Sequence, residues 1–202
     1  GGFATARTDV NERYDPSTNP WSTRAAMPTA RNGLAVGVVG SSLYAVGGNS
    51  ASGRTDVNER YDPSTNTWAS RANMPTARNG LAAGVVNDIL YAVGGSTPST
   101  SNVNEAYDPA TNTWSSQAAM LTARTNLAAG GINGVLYAVG GSGGTNVNEA
   151  YNPSTNTWSS QASMPTARYN LAAGVINGLL YAVGGLTTAP TAVNERYDPS
   201  TN

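Results

Sequence analysis

The sequence lacks three residue types on which much catalytic chemistry depends. Its 202 residues include no cysteine and no histidine, and all 11 basic residues are arginine, so lysine is absent as well. Without cysteine there is no disulfide framework, thiolate nucleophile or cysteine-ligated metal centre. Without histidine or lysine there is no imidazole base, Ser-His-Asp triad, histidine metal site, Schiff base or P-loop lysine. We therefore expect no catalytic residue, no metal site and no cofactor.

Charge and hydropathy point away from two classes of partner. Only 11% of the residues are charged and the formal net charge is −1, which argues against a non-specific phosphate-binding surface and hence against a nucleic-acid partner. The longest apolar runs are far below the ~18 residues that a membrane span requires, so no membrane partner is expected. The first seven residues show no signal-peptide pattern, and the composition leaves the localisation undetermined.

What the sequence does contain is an internal repeat. Four tryptophans are spaced by 47, 46 and 44 residues, and the string Leu-Tyr-Ala-Val-Gly-Gly occurs four times. The string Val-Asn-Glu-x-Tyr occurs five times, and residues 57–95 match residues 147–185 at 29 of 39 positions without gaps. The chain is therefore a tandem array, and copying of one short unit explains why the same residue types are missing throughout.

Each unit contains four short segments whose sequence patterns are typical of β-strands. In residues 78–117 these are an apolar run of small residues (81–86), the segment 89–93 after an Asn-Asp turn, the alternating segment 103–107, and 113–116. An Asp-Pro turn separates the last two, and no segment resembles an amphipathic helix. Four strands in ~45 residues predict an all-β fold, a β-propeller of four-stranded antiparallel blades.

The repeated motif resembles that of the Kelch-repeat family. The pattern Gly-Gly…Val-Asn-Glu-x-Tyr-Asp-Pro-x-Thr-Asn-x-Trp…Met-Pro-x-x-Arg covers nearly the whole chain. The WD40 pattern of similar period fits less well, because its Gly-His and Trp-Asp signatures are both absent. The resemblance implies a propeller whose loops before the innermost strand, and between the second and third strands, form a binding face.

The repeat boundaries do not determine how many blades form the ring or how it closes. Cutting before each outer strand gives repeats 20–66, 67–112, 113–156 and 157–202, with residues 1–19 as the tail of a partial fifth repeat. Kelch propellers usually close with five to seven blades. The chain is thus expected to be a fragment of a longer ring, a compact four-blade ring with a redundant strand, or an arc completed by another copy as a homo-oligomer. An open arc would expose strand edges that favour self-association.

Three recurrent features are interpreted as structural. The Gly-Gly pairs have no helix behind them that could hold a phosphate, so close backbone approach and positive φ are expected instead. The tryptophans and the tyrosines of Val-Asn-Glu-x-Tyr are expected to pack between blades. The recurrent glutamates are expected to make a repeated hydrogen bond or ion pair to a neighbouring blade; they are Glu12, Glu59, Glu105, Glu149 and Glu195.

Four arginines have two competing interpretations. Arg31, Arg78, Arg124 and Arg168 each precede an innermost strand, where propeller geometry places residues at the mouth of the central channel. In one interpretation they form a positive rim that offers bidentate donors to the carboxylates of a ligand. In the other, each arginine pairs with a repeated glutamate or with backbone carbonyls.

The near-identical copies differ at the same places. The residues that follow the four arginines vary, and the loops after Gly-Gly differ in length and content over 49–56, 96–102, 142–146 and 186–192. Such differences indicate ligand specificity or simply the tolerance of loops. The additional rim candidates are Asn32, Asn79, Asn126, Tyr169 and Asn170.

These observations predict a non-catalytic binding or scaffolding propeller that presents its rim to a protein, a peptide or a glycan. The alternative is a structural, engineered or recently amplified array without a dedicated ligand, since near-identical modules stack readily. An enzyme is disfavoured: the copper-dependent galactose oxidase class within Kelch-like propellers needs histidine and cysteine. A sugar-acid epimerase type would have to rely on arginine, glutamate and tyrosine alone.

Overall fold

A computed structural model describes residues 1–142 and 145–202. The regular structure of these residues consists of strands alone, as the repeat predicted. No helix in this part of the chain is long and apolar enough to cross a membrane. The N-terminal residues contribute four short strands: β1 (Gly2–Phe3), β2 (Arg7–Thr8), β3 (Glu12–Tyr14) and β4 (Trp21–Thr23).

Three complete four-stranded antiparallel blades follow, and each is a meander from an innermost to an outermost strand. Blade 1 (35–71) also carries the small hairpin of β7 and β8 in its loop. The strands of blade 1 are β5 (Ala35–Val39), β6 (Ser42–Val46), β7 (Asn49–Ser50), β8 (Gly53–Arg54), β9 (Asn58–Asp62) and β10 (Thr67–Arg71). Those of blade 2 (82–117) are β11 (Ala82–Val86), β12 (Ile89–Val93), β13 (Asn104–Asp108) and β14 (Thr113–Gln117). Those of blade 3 (128–161) are β15 (Ala128–Ile132), β16 (Val135–Val139), β17 (Asn148–Asn152) and β18 (Thr157–Gln161).

Blade 4 (172–197) has three strands, β19 (Ala172–Ile176), β20 (Leu179–Val183) and β21 (Asn194–Tyr197). At the other end of the array, β3 pairs with β4. This N-terminal hairpin (12–23) corresponds to the two outer strands of a blade. The partial fifth repeat (1–19) therefore contributes β1, β2 and β3, and β4 is the first strand of repeat 20–66.

Tight turns fix the register of the two innermost strands in each blade. Asn87 (φ 51°) and Asp88 (φ 61°) join β11 to β12, and both adopt the left-handed conformation that a type I′ hairpin turn requires. Asn133-Gly134 and Asn177-Gly178 make the corresponding turns of blades 3 and 4, again with both φ values positive. The turn residues thus place the same apolar residues on the same faces of successive blades.

Within the described residues, the hydrophobic core forms three clusters, one in each interface between neighbouring blades. In the cluster between blades 1 and 2, Leu90 is fully buried over β5. Contacts between innermost strands run from β5 to β11, from β11 to β15 and from β15 to β19. The same apolar contact is therefore made three times along the array, and the innermost strands face its axis.

Candidate functional site

The four arginines lie inside the blades. Arg31, Arg78, Arg124 and Arg168 are all 0% exposed. Each forms an ion pair with the glutamate on the third strand of its own blade, at 2.6 Å for Arg31–Glu59, 2.7 Å for Arg78–Glu105, 3.2 Å for Arg124–Glu149 and 2.7 Å for Arg168–Glu195.

Backbone carbonyls satisfy most of the remaining guanidinium donors. Arg78 Nη1 donates to the carbonyls of Gly94 (2.7 Å) and Val103 (3.1 Å), and its Nη2 donates to the carbonyl of Ala92 (3.1 Å) as well as to Glu105. The fork of the guanidinium suits this role because its several donors are held in a fixed plane. Each arginine thus ties the loop before the innermost strand to the second and third strands of the same blade.

Burial dominates the electrostatics of these pairs. Desolvation lowers the pKa of the Arg31, Arg78 and Arg124 guanidinium groups, and the facing glutamates partly offset the effect by favouring the charged form. Removing one member of such a pair would leave the other charge buried and uncompensated. The pairs are therefore structural elements of the blades.

This geometry corrects the expectation of an accessible arginine rim. The guanidinium groups of Arg31, Arg78, Arg124 and Arg168 point into the blades, where each pairs with a glutamate and donates to two or three backbone carbonyls. Pairing with a repeated glutamate, the competing interpretation, describes the contacts observed. The glutamates were expected to reach a neighbouring blade, but Glu59, Glu105, Glu149 and Glu195 pair within their own.

The Gly-Gly pairs have the backbone role expected of them. Gly94 (φ 64°) and Gly95 (φ 97°) both adopt conformations that favour glycine. A side chain on Gly94 would lie within 2.5 Å of the Arg124 carbonyl, and the Gly95 N–H donates to that same carbonyl at 2.8 Å. The pair thus allows the loop of one blade to approach the arginine loop of the next.

The tyrosines and tryptophans make contacts between blades, as predicted, and the tryptophans of blades 1–3 also pack against a tyrosine of their own blade. Trp114 stacks on Tyr107 of its own blade, with ring centroids 5.1 Å apart, and its Nε1 donates to the Ala72 carbonyl of the preceding blade. Tyr107 also contacts Tyr44 across the interface at 5.6 Å. Trp21 packs against Tyr14 of the N-terminal hairpin at 5.4 Å in the same way, but it is 69% exposed.

One backbone conformation recurs at the mouth of the central channel. The second residue after each arginine has a positive φ: 60° at Gly33, 62° at Gly80, 57° at Asn126 and 52° at Asn170. Glycine and asparagine are the residues that most readily adopt this conformation. The variation between Gly and Asn at this position therefore follows from a backbone requirement.

The same residues are linked from blade to blade. The Gly80 N–H donates to the Gly33 carbonyl (2.8 Å), the Asn126 N–H to the Gly80 carbonyl (2.6 Å), and the Asn170 N–H to the Asn126 carbonyl (2.8 Å). We call these four residues the mouth ladder. It holds the mouth of the channel in one geometry while the side chains beside it differ.

The residue directly after each arginine is the variable one. Asn32, Asn79 and Tyr169 form antiparallel bridges with Asn49, Ser96 and Leu186, the first residues of the loops after Gly-Gly. In blade 3 the Ser142 N–H donates to the Thr125 carbonyl at 2.7 Å. The two variable loops of each blade are therefore joined at the rim. Within the loop 142–146, residues 143 and 144 lie outside the described part of the chain.

The mouth ladder borders an opening of about 220 Å³. Its lining consists of Gly33, Leu34, Gly80, Leu81, Asn126, Leu127, Asn170 and Leu171. None of these lining residues has a titratable side chain. Beside the opening, the buried Oδ1 atom of Asn32 has no hydrogen-bond partner among the described residues, and Arg54 Nε donates to Asn79 Oδ1 at 3.1 Å.

The structure brings Asn126 and Asn170 together at the opening and places Asn32, Asn79 and Tyr169 beside it. The sequence analysis did not identify Gly33, Gly80 or the four leucines that also line the opening, Leu34, Leu81, Leu127 and Leu171. A signal was present, because Asn-Gly and Thr-Asn at equivalent positions indicate a shared left-handed residue. The pairing of Tyr169 with Leu186 had no signal in the sequence, since it joins loops that are variable in length.

Radially arranged four-stranded blades around a common axis define the protein as a β-propeller. The Kelch motif matches residues 30–75, 77–121, 123–165 and 167–202, so that each match contains one blade. The chain therefore belongs to the Kelch-repeat family, with four blades. Among curated proteins, none matches the chain significantly. Kelch propellers are generally protein-binding or scaffold domains and are typically non-catalytic.

Proposed function

We propose that this chain is a non-catalytic scaffold whose channel mouth binds a short, largely uncharged peptide segment of a partner protein. The observation that carries the proposal is that four blades hold one backbone geometry at the mouth while presenting different side chains there. Asn32, Asn79, Thr125 and Tyr169 occupy equivalent positions, and each is bonded to a second variable loop.

The size of the opening favours a peptide. A volume of about 220 Å³ is below the ~300–1,000 Å³ usual for small-molecule pockets. It suits one or two side chains that project from a protein loop, with the remaining contacts made on the rim. The side-chain amides of Asn126 and Asn170, which line the opening, supply both donors and acceptors for a peptide backbone.

The lining of the opening offers no charge to an acidic ligand. The four buried arginines are paired with their glutamates, and the lining itself is neutral. The exposed Arg54, which donates to Asn79, adds a single positive charge on the blade 1 side of the rim. Tyr169 and its neighbour Leu186 give blade 4 an apolar contact at the rim. Aromatic residues of this kind often dominate the energetics of peptide recognition. A neutral lining without titratable groups also supports a non-catalytic role.

The test is selection of displayed random peptides on the immobilised chain, followed by titration of synthetic peptides from the enriched pool. We expect Tyr169→Asn, which gives blade 4 the residue of blades 1 and 2, to weaken binding about tenfold or more. Asp88→Gly is the matched control, because it changes a turn at the opposite end of the strands to the Asn-Gly form of blades 3 and 4.

Three results would contradict the proposal: no enriched peptides, enrichment of acidic peptides only, or equal effects of Tyr169→Asn and Asp88→Gly. Binding of glycans in a parallel array without any peptide binding would also contradict it. A chain that binds neither class would instead support a structural array without a dedicated ligand.

A further inference from the structure

The downstream face of blade 4 exposes residues that are buried in every other blade. Val183 is 46% exposed, whereas its equivalents Val46, Val93 and Val139 are 0–1% exposed. Ile176 is 59% exposed, whereas Ile132 is 4% exposed. The chemistry of this face is therefore that of a buried blade interface, although no described residue covers it.

The upstream face of blade 1 shows the complementary exposure. Val36 and Val38 on β5 are 53% and 59% exposed. Leu43 is half-buried, whereas its equivalents Leu90, Leu136 and Leu180 are 0–1% exposed. The N-terminal hairpin covers only the outer part of this face, where Trp68 Nε1 donates to the Ala25 carbonyl at 2.8 Å.

The two faces fit each other according to the pattern of the three internal interfaces. In each of these, a leucine on the second strand of one blade lies over a glycine on the innermost strand of the preceding blade: Leu90 over Gly37, Leu136 over Gly84 and Leu180 over Gly130. At Gly174 of blade 4, by contrast, an added Cβ would meet nothing within 4 Å among the described residues. Leu43 is the leucine without such a glycine.

Two further features repeat this complementarity. The mouth ladder ends at the Gly33 N–H on one side and at the Asn170 carbonyl on the other, and neither has a hydrogen-bond partner in the described part of the chain. Tyrosine pairs cross each internal interface, as in Tyr91–Tyr151 at 5.5 Å. Tyr181 of blade 4 and Tyr61 of blade 1 are the members left without a partner tyrosine among the described residues.

A groove of about 290 Å³ separates the N-terminal hairpin from blade 1, and Val38, Leu43 and Tyr61 line its blade side. It lies where the two inner strands of a complete blade would pack. The sequence Val-Asn-Glu-Arg-Tyr-Asp-Pro-Ser-Thr-Asn is identical at 10–19 and 193–202. Strand β3 of one copy can therefore replace β21 in pairing with β20 of another without any change of side chain.

We propose that the chain forms a head-to-tail dimer in which β19 and β20 of each copy fill the groove beside β3 of the other. Each copy then contributes three complete blades, and the two copies share two more, each built from β19 and β20 of one copy with β3 and β4 of the other. Eight blades lie within the four to eight typical of propellers, and a heterologous contact that closes after two copies forms a ring. Arg168 would then pair with Glu12 of the partner subunit in place of Glu195.

A second copy is the occupant that the faces favour, because one chain carries both halves of the contact. The internal interfaces show that each half is compatible with the other. The dimer also extends the proposed binding site, since it joins the ends of two mouth ladders. The inference does not require that any peptide binds there. The dimer and the proposed function can therefore be tested, and can fail, independently of each other.

The first test is the mass of the full chain in solution, measured by light scattering after size exclusion. We expect about twice the chain mass of 20.7 kDa. Gly174→Leu should convert the dimer to a monomer, because the added side chain fills the space that Leu43 needs but meets nothing within its own chain. Ser115→Leu, on the exposed outer strand of blade 2, is the matched control and should stay dimeric with an unchanged melting temperature.

The second test uses the absence of native cysteine. The double variant Leu43→Cys with Gly174→Cys should form a covalent dimer on oxidation, whereas each single variant should not crosslink through this contact. Glu12→Gln tests the exchanged ion pair. Because Glu12 is exposed in the isolated chain, the substitution should leave the melting temperature of the Gly174→Leu monomer unchanged and weaken the wild-type dimer about tenfold or more.

A wild-type monomer, a trimer or an open polymer would overturn the proposal, and so would a Gly174→Leu variant that remains dimeric. An internal crosslink within a single chain of the double variant would show closure of a four-blade ring. That outcome also overturns the dimer.

Discussion

Blades 2 and 4 contain nearly the same residues in different surroundings. Val93 is 0% exposed and Val183 46%, while the glutamate side chain paired with arginine is 2% exposed in blade 2 and 13% in blade 4. The difference lies in the neighbour that each blade has on its downstream side. In this array, a residue's contribution to stability is set by its position in the stack as much as by its identity.

The largest expected effect is the loss of an interior arginine. In the monomeric Gly174→Leu background, Arg78→Ala should lower the free energy of unfolding by ~3–5 kcal/mol, because Glu105 is left buried and unpaired. Arg168→Ala should lower it less, since Glu195 is partly hydrated. Denaturant titration measures both. Arg60→Ala, which breaks a surface pair with Asp62, is the control and should cost below ~1 kcal/mol. Equal losses for Arg78→Ala and Arg168→Ala would contradict the comparison.

The equivalent leucines Leu90 of blade 2 and Leu43 of blade 1 allow stability to be compared between a covered and an uncovered position without involving charge. Leu90→Ala should destabilise the monomeric background by ~2–5 kcal/mol, because it opens an enclosed cavity over Gly37. Leu43→Ala removes the equivalent side chain at a half-buried position and should cost clearly less. The measurement is the change in the denaturation midpoint at constant slope. A loss at Leu43 as large as that at Leu90 would show that the upstream face is covered in the monomer.

The smallest effect concerns alkaline pH. Burial, with a lesser contribution from Tyr91, raises the pKa of Tyr151 to about 12, compared with about 10 for an unfolded tyrosine. The fold therefore favours the neutral phenol. Its contribution to stability is complete below about pH 10 and is lost as the pH rises through 12.

The readout is the melting temperature as a function of pH for the wild type and for Tyr151→Phe. The variant should lose less stability between neutral pH and pH 11, because it lacks this ionisation. Parallel pH profiles for the two proteins would contradict the assignment. At neutral pH the phenol is un-ionised in both folded and unfolded chains, so no pH-linked difference is expected there.

Much of the fold could be predicted from the sequence because its determinants are local and repeated. The Asn-Asp turn, the Asp-Pro turn and the Gly-Gly pairs each set backbone geometry over a few residues. Their recurrence indicated four strands in every unit, and each of the repeats 20–66, 67–112, 113–156 and 157–202 contains an outer strand followed by the three inner strands of the next blade. Blade 4 has three strands because each blade takes its outer strand from the repeat that follows it.

The site was less predictable because side-chain direction is not encoded in repeat spacing. Arg78 directly precedes the mouth residues Asn79 and Gly80 in sequence, but whether its guanidinium faces solvent depends on Glu105 and three carbonyls that come together only when the blade folds. The candidates Asn126 and Asn170 do line the opening, since their left-handed backbone keeps them at its edge. Their role in binding a ligand remains a prediction.

The mouth ladder has a consequence for how the protein could be re-engineered. Because every blade meets the channel with the same backbone conformation and the same bond to its neighbour, a blade can be regarded as an exchangeable cassette. Transposing two cassettes would rearrange the pattern of Asn, Thr and Tyr around the axis while leaving each internal interface of the same chemical type. The order of the blades along the chain would then determine which arrangement of side chains a partner contacts at the mouth.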